Sequence, residues 1–196
     1  MLTKPNILRL VFFVLAFAAA LYYPVRKVLA FERPAVPPTE LRFRVEGYDP
    51  YDPARGHYLQ LNTRIVFKFA PEKWRERFGG ADRRKAFAVF EADRDGFARV
   101  TDLLPTDRAP NGKPFIAIRR FYRADDKDSV TLHLPFDRFY LNEKLAQPAE
   151  RLLRKVTSAG KPAVLVVDVY ADGNYAVKDL LIDGKPLREH LVPKQK

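Results

Sequence analysis

The sequence predicts a mainly β or α+β fold: an antiparallel sheet or partly open barrel with one or two covering helices, preceded by a single N-terminal transmembrane helix. Three observations point there. Apolar and polar residues alternate with a period of two from Glu40 onward. Asp-Gly pairs, which favour tight hairpin turns, recur between the alternating runs at Asp95-Gly96, Asp172-Gly173 and Asp183-Gly184. Leu10 to Tyr23, by contrast, is an apolar run with no polar stripe.

Extended from Ile7 to Val25, that run reaches 19 residues, close to the roughly 20 that a helix needs to cross the hydrocarbon core. Arg9 sits near one end, where it can snorkel to the headgroups, Tyr22 and Tyr23 suit the interfacial belt, and Arg26-Lys27 close the span. The lipid bilayer is therefore an expected partner of residues 7–25, with residues 1–30 forming the anchor. The h-region of a cleaved signal peptide is the competing reading, since Ala16-Phe17-Ala18 and Ala18-Ala19-Ala20 both have the small-x-small pattern. Lys4 and Arg9 precede the run while Arg26, Lys27 and Arg33 follow it, so charge counting sets no orientation. Residues 31–39, FERPAVPPT, hold three prolines and predict an extended linker.

Residues 40–196 form the extramembrane domain. Leu41, Phe43 and Val45 alternate with charged residues, predicting a strand with one wet face. From His57 to Phe69 one longer strand is expected. Its apolar row is Leu59, Leu61, Thr63, Ile65, Phe67 and Phe69, and Tyr58, Gln60, Asn62 and Arg64 lie on the other face. Further strands are predicted at Ala86–Glu91, Gly96–Leu103, Phe115–Tyr122 and Val130–Leu134. Ala163–Tyr170, apolar on both faces, should be central, and Tyr175–Ile182 returns beside it. A short helix is expected over Pro71–Phe78. A firmer one is expected over Gln147–Ser158, with Pro148 in its first turn, an apolar stripe of Ala149, Leu152, Leu153 and Val156, and Gly160 as its left-handed cap.

Composition narrows the function. The net charge is +11, but acidic residues are interspersed throughout, and no Lys/Arg stripe with interleaved aromatics appears, so nucleic acid is not an expected partner. The chain has no Cys, which excludes disulfides, thiolate metal sites and a Cys nucleophile. His57, His133 and His190 are isolated, and neither a GxSxG serine nor a phosphate-cradling glycine loop occurs. No metal site, cofactor or catalytic residue is predicted.

The approach to the long strand is the densest turn chemistry in the chain: Tyr48-Asp49-Pro50-Tyr51-Asp52-Pro53-Ala54-Arg55-Gly56-His57-Tyr58. Each Asp-Pro biases its Asp toward an extended or turn conformation, and Gly56 permits a tight bend. A rigid loop feeding a strand accounts for this composition. The order of residues carries more. A membrane-proximal strand followed by an xDPxDPxRGxYxxL loop and strand resembles the GDYXXLXY domain family of bacterial membrane-anchored proteins. Gly56, Tyr58 and Leu61 match the name motif, while His57 and Thr63 replace its Asp and final Tyr. Pro135–Glu150 and Val177–Leu187 resemble two later blocks of that family, in the same order. The resemblance implies an envelope protein, with its soluble domain extracytoplasmic or periplasmic, often associated with a multi-pass membrane protein; it implies no reaction.

Candidate binding or motif residues are therefore Asp49, Asp52, Arg55, Gly56, His57, Tyr58 and Leu61, with Arg138, Tyr140, Glu143 and Glu150 from the later block. An interaction module working with an integral membrane partner is the leading expectation. The alternative is an envelope hydrolase, or a polar-ligand or cation-binding protein, using the Asp/Arg/Glu set.

Overall fold

The computed structural model describes residues 4–32, 34, 36–47, 58–79, 85–108, 110, 112–123 and 128–191. The loop carrying Asp49, Asp52, Arg55, Gly56 and His57 lies outside the described residues. The chain divides into two compact units, residues 1–37 and 38–196.

The first unit is one helix, α1 (Lys4–Glu32), with Pro24 inside it. Its segment Arg9–Leu29 is 21 residues long, has a mean hydropathy of 1.5 and is wholly unburied, so by length and composition it suffices to cross a membrane. Near its C-terminal end, Arg26 donates a hydrogen bond from Nη1 to Tyr22 Oη, one turn earlier, at 3.2 Å. The helix runs through Phe31 and Glu32, two residues into the stretch predicted as linker, because no proline follows until Pro34.

The second unit is mostly antiparallel sheet. Its strands are β1 (Thr39–Gly47), β2 (Tyr58–Asn62), β3 (Arg64–Lys68), β4 (Ala86–Ala92), β5 (Ala98–Pro105), β6 (Phe115–Ile118), β7 (Arg120–Arg123), β8 (Ser129–His133), β9 (Arg138–Tyr140), β10 (Ala163–Val169), β11 (Tyr175–Ile182) and β12 (Lys185–Pro186). They pair as β12-β11-β10-β1-β2-β9, as β3-β8-β7 and as β5-β4-β6. The six-stranded sheet curls into a half-barrel. β10 is central as expected, flanked by β1 and β11. The turn after β11 has positive φ at both Asp183 (48°) and Gly184 (78°), the type I′ geometry that suits a two-residue hairpin.

The strand expected over His57–Phe69 is two strands. Between the pairs Gln60↔Arg138 and Arg64↔His133 the first chain advances four residues and its partner five. The extra residue makes a bulge around Pro135, which has no N–H to offer a ladder. Thr63 bridges the break: its hydroxyl donates to the Leu134 carbonyl at 3.3 Å, and Leu134 N–H returns a bond to the Thr63 carbonyl at 3.3 Å. The predicted inward row nonetheless holds, since Leu59, Leu61, Thr63 and Phe69 are buried and Ile65 and Phe67 pack against the core. Phe115–Tyr122 likewise divides, at Arg119, and so carries the chain from the β4 sheet to the β8 sheet.

Helix α2 (Pro71–Phe78) starts on its proline as predicted. Trp74 and Phe78 sink into an aromatic cluster with Phe121, at centroid distances of 5.8 and 5.7 Å. Helix α3 (Glu143–Ser158) begins four residues before the predicted start. Asn142 is its N-cap, accepting from Lys144 N–H at 3.1 Å, so Pro148 falls inside the helix and not in its first turn. Gly160 takes the left-handed cap at φ 72°. Ala149, Leu153 and Val156 of α3 join the core formed by Leu41, Phe43 and Val45 of β1 and by Ala163, Leu165 and Val167 of β10. A short helix, α4 (Leu187–Leu191), ends the described chain.

Candidate functional site

The site is built where β2 meets β9. Their register places Tyr58 opposite Tyr140 and Gln60 opposite Arg138, all on the face away from the core. The alternate residues, Leu59, Leu61 and Phe139, are buried and anchor the pair from beneath. Leu61 also donates its N–H to the Asp137 carbonyl at 2.8 Å, which fixes the approach to β9. The motif leucine thus holds the ladder, and the motif tyrosine is what the ladder displays.

On the displayed face the Arg138 guanidinium lies 4.9 Å from the centre of the Tyr58 ring, and the Tyr58 and Tyr140 rings are 6.0 Å apart. Such a cation over an aromatic face is drawn by the ring quadrupole. Arg138 is held more firmly protonated than an ordinary arginine, first by hydrogen bonding with Tyr140 and then by the nearby Tyr58 hydroxyl. Its Nε also lies 3.9 Å from Asp137 Oδ1, an exposed pair of little energetic consequence. Tyr140 is 67% exposed, which is unusual for so large an aromatic side chain.

Beside the ladder is a hollow of about 510 Å³ lined by residues 135–140 with Tyr175, Val177, Lys178 and Arg188. The curl of the sheet brings β11 round to close it. Phe136 packs edge-on against Tyr175 at 5.3 Å, and the Tyr175 hydroxyl donates to the Pro135 carbonyl at 3.2 Å. Burial, then the Asp137 carboxylate, push the Tyr175 phenol above its usual range while Arg119 opposes them, so it remains a neutral donor. Lys178 faces out and binds Glu40 at 2.9 Å, and the hollow as a whole sets three cations, Arg138, Lys178 and Arg188, against the one carboxylate of Asp137.

Of the predicted site residues, Tyr58, Arg138 and Tyr140 come together. Leu61 supports them from the core. Glu143 lies in the first turn of α3, and Glu150, further along that helix, accepts from Arg154 at 2.9 Å in an i,i+4 pair. Among the described residues no group of three or more His, Asp or Glu could hold a metal ion. Sequence reasoning missed Tyr175 and Arg188. Neither lies in a motif, and only the curl of the sheet brings them near Arg138.

The profile of the GDYXXLXY protein family covers residues 28–180, from the end of α1 through most of β11. No curated protein and no solved structure matches the chain. Within the match Tyr58 and Leu61 stand at motif positions, and the Thr63 hydroxyl occupies the place of the motif's last tyrosine, bonded to the β8–β9 bulge. Covering more than three quarters of the sequence, this match makes the chain a member of the GDYXXLXY protein family.

Proposed function

We propose that the chain is a membrane-held binding module that engages an integral membrane protein through the Tyr58–Gln60–Arg138–Tyr140 face. The single observation that carries this is the exposed cross-strand ladder, with Arg138 over Tyr58 and Tyr140 open to solvent. Tyr and Arg dominate the energetics of protein interfaces because each offers a large, stiff contact surface with a polar tip. A solvent-only strand face would carry Lys and Glu instead. The hollow beside the ladder, bordered by Arg138 and Arg188, suits a carboxylate on the partner.

Tethering supports the choice of a membrane partner. The Arg9–Leu29 helix is apolar and long enough to hold the domain at a bilayer, which confines it with integral proteins and raises the effective concentration of each for the other. In this reading the domain stands on the extracytoplasmic side.

The test is co-purification from mild detergent with the unaltered chain and with Tyr58→Ala, Arg138→Ala and Tyr140→Ala, with emission from Trp74, the one tryptophan, confirming the fold. The expected result is loss of the same integral membrane protein in all three variants. Undiminished recovery of every co-purifying protein overturns the reading.

A further inference from the structure

A second surface lies on the opposite side of the β2–β3 ribbon from β8 and β9. Among the described residues, β3 pairs only with β8 and β5 pairs only with β4, apart from a single parallel rung between Arg42 and Phe97. Each therefore presents a free edge, and both edges border one cleft of about 1130 Å³ whose floor includes Phe43 and Val45 of β1. That exceeds the roughly 300–1,000 Å³ of a small-molecule pocket. Two unpaired strand edges facing a common space form a template for a further strand, which would find backbone partners on both sides.

The side chains along the cleft specify what that strand must carry. Toward the core it is flanked by Ile65 and Phe67 from β3 and by Ala98 and Val100 from β5, all apolar. Toward solvent it is flanked by Val66, 59% exposed, with Lys68 on one side and Arg99 and Arg94 on the other. Of the acidic residues on the rim, Glu91 binds Lys113 at 2.6 Å, and Asp93 accepts the backbone N–H groups of Asp95 and Phe97 at 2.9 and 2.8 Å, which leaves the carboxylates of Asp93 and Asp95 against the three cations Lys68, Arg94 and Arg99. Arg44 is occupied over the Phe97 ring at 4.2 Å.

We propose that this cleft is a strand-addition site for an extended segment of a partner protein in which apolar and acidic residues alternate. The apolar residues would cover Ile65, Phe67 and Val100, and the acidic ones would face Lys68 and Arg99. β3 is five residues long, so about five residues of the segment, roughly 17 Å, would be held. The surface is separate from the Tyr58 face, and the two stand or fall independently.

The experiment uses the full chain in detergent and two labelled seven-residue peptides, one alternating Val with Glu and one alternating Val with Lys. Fluorescence anisotropy measures binding, and hydrogen exchange follows backbone amides at 64–68 and 98–101. The acidic peptide should bind at least tenfold tighter than the basic one. Lys68→Glu with Arg99→Glu, both exposed positions, should weaken it at least tenfold, and exchange should slow at both edges when it is bound. Absence of binding, equal affinity for the two peptides, or binding without slower exchange at both edges overturns the proposal. So does the same protection produced by phosphatidylglycerol vesicles alone, which would assign an anionic amphiphile, or by raising the protein concentration alone, which would assign a second copy.

Discussion

Replacing Gly173 by Ala should destabilise the domain far more than the same change at Gly96, although both glycines have nearly the same backbone. Their φ values are +80° and +79°, so each substitution incurs a left-handed backbone cost of about 1 kcal/mol. At Gly96 that is all, because a new Cβ would meet nothing within 4 Å. At Gly173 the Cβ would lie 2.4 Å from Phe115 Cε2 and 3.0 Å from Cδ2 and Cζ, so the ring must move. Phe115 is only 9% exposed and packs edge-on to Phe87 at 5.0 Å, which leaves it little room. Displacing a packed side chain costs about 1–3 kcal/mol more. With a urea slope of about 2 kcal/mol per molar, the midpoint should fall by about 0.5 M for Gly96→Ala and by about 1–2 M for Gly173→Ala. Urea unfolding of the full chain in detergent, followed by Trp74 emission, measures both. Phe115→Leu in the Gly173→Ala background should recover part of the difference. Equal midpoints for the two glycine variants would refute the contact between the β10–β11 turn and β6.

Arg77 of α2, with its side chain 19% exposed, pairs with Asp102 and donates to the Leu103 carbonyl at 3.0 Å. Arg77→Ala should lower stability by about 1–3 kcal/mol, because the Leu103 carbonyl loses this donor and the half-buried Asp102 carboxylate keeps only the Leu103 N–H, and Arg77→Lys should fall between; thermal unfolding reports both. His133 of β8 is pushed below the usual imidazole range, first by burial and then by Arg64 and Arg120. A group harder to protonate when folded contributes stability that is complete above its unfolded pKa of about 6.5 and is lost as pH falls through the lower folded value. The unfolding midpoint should therefore drop between pH 7.5 and 5, and His133→Gln should flatten that drop; a rise on acidification would contradict the assignment.

Much of the fold was legible because alternation acts locally. Leu41, Phe43 and Val45 face the core because a strand turns every second side chain to one side, and the Asp-Gly turns close where positive φ is cheap. The break at Thr63 was not legible, because its cause lies in the partner strand, where the extra residue beside Pro135 shifts the register. The early start of α3 turned on Asn142, whose capping bond outweighed the boundary implied by Pro148. For the site, Tyr58, Arg138 and Tyr140 stood out as residue types near motifs, yet their contact depends on the pairing of strands some 80 residues apart. Tyr175 and Arg188 depend on the curl of the whole sheet, which no single segment encodes.

A photo-crosslinking residue at position 140, activated in intact membranes and compared with one at exposed Tyr122 on β7, tests the account most directly. The result expected is a crosslink from position 140, absent from position 122, to an integral membrane protein, and its loss on Arg138→Ala. Crosslinking from both positions alike, or from position 140 only to lipid or soluble proteins, would contradict the claim that the Tyr58–Arg138–Tyr140 ladder is a docking face for a membrane partner.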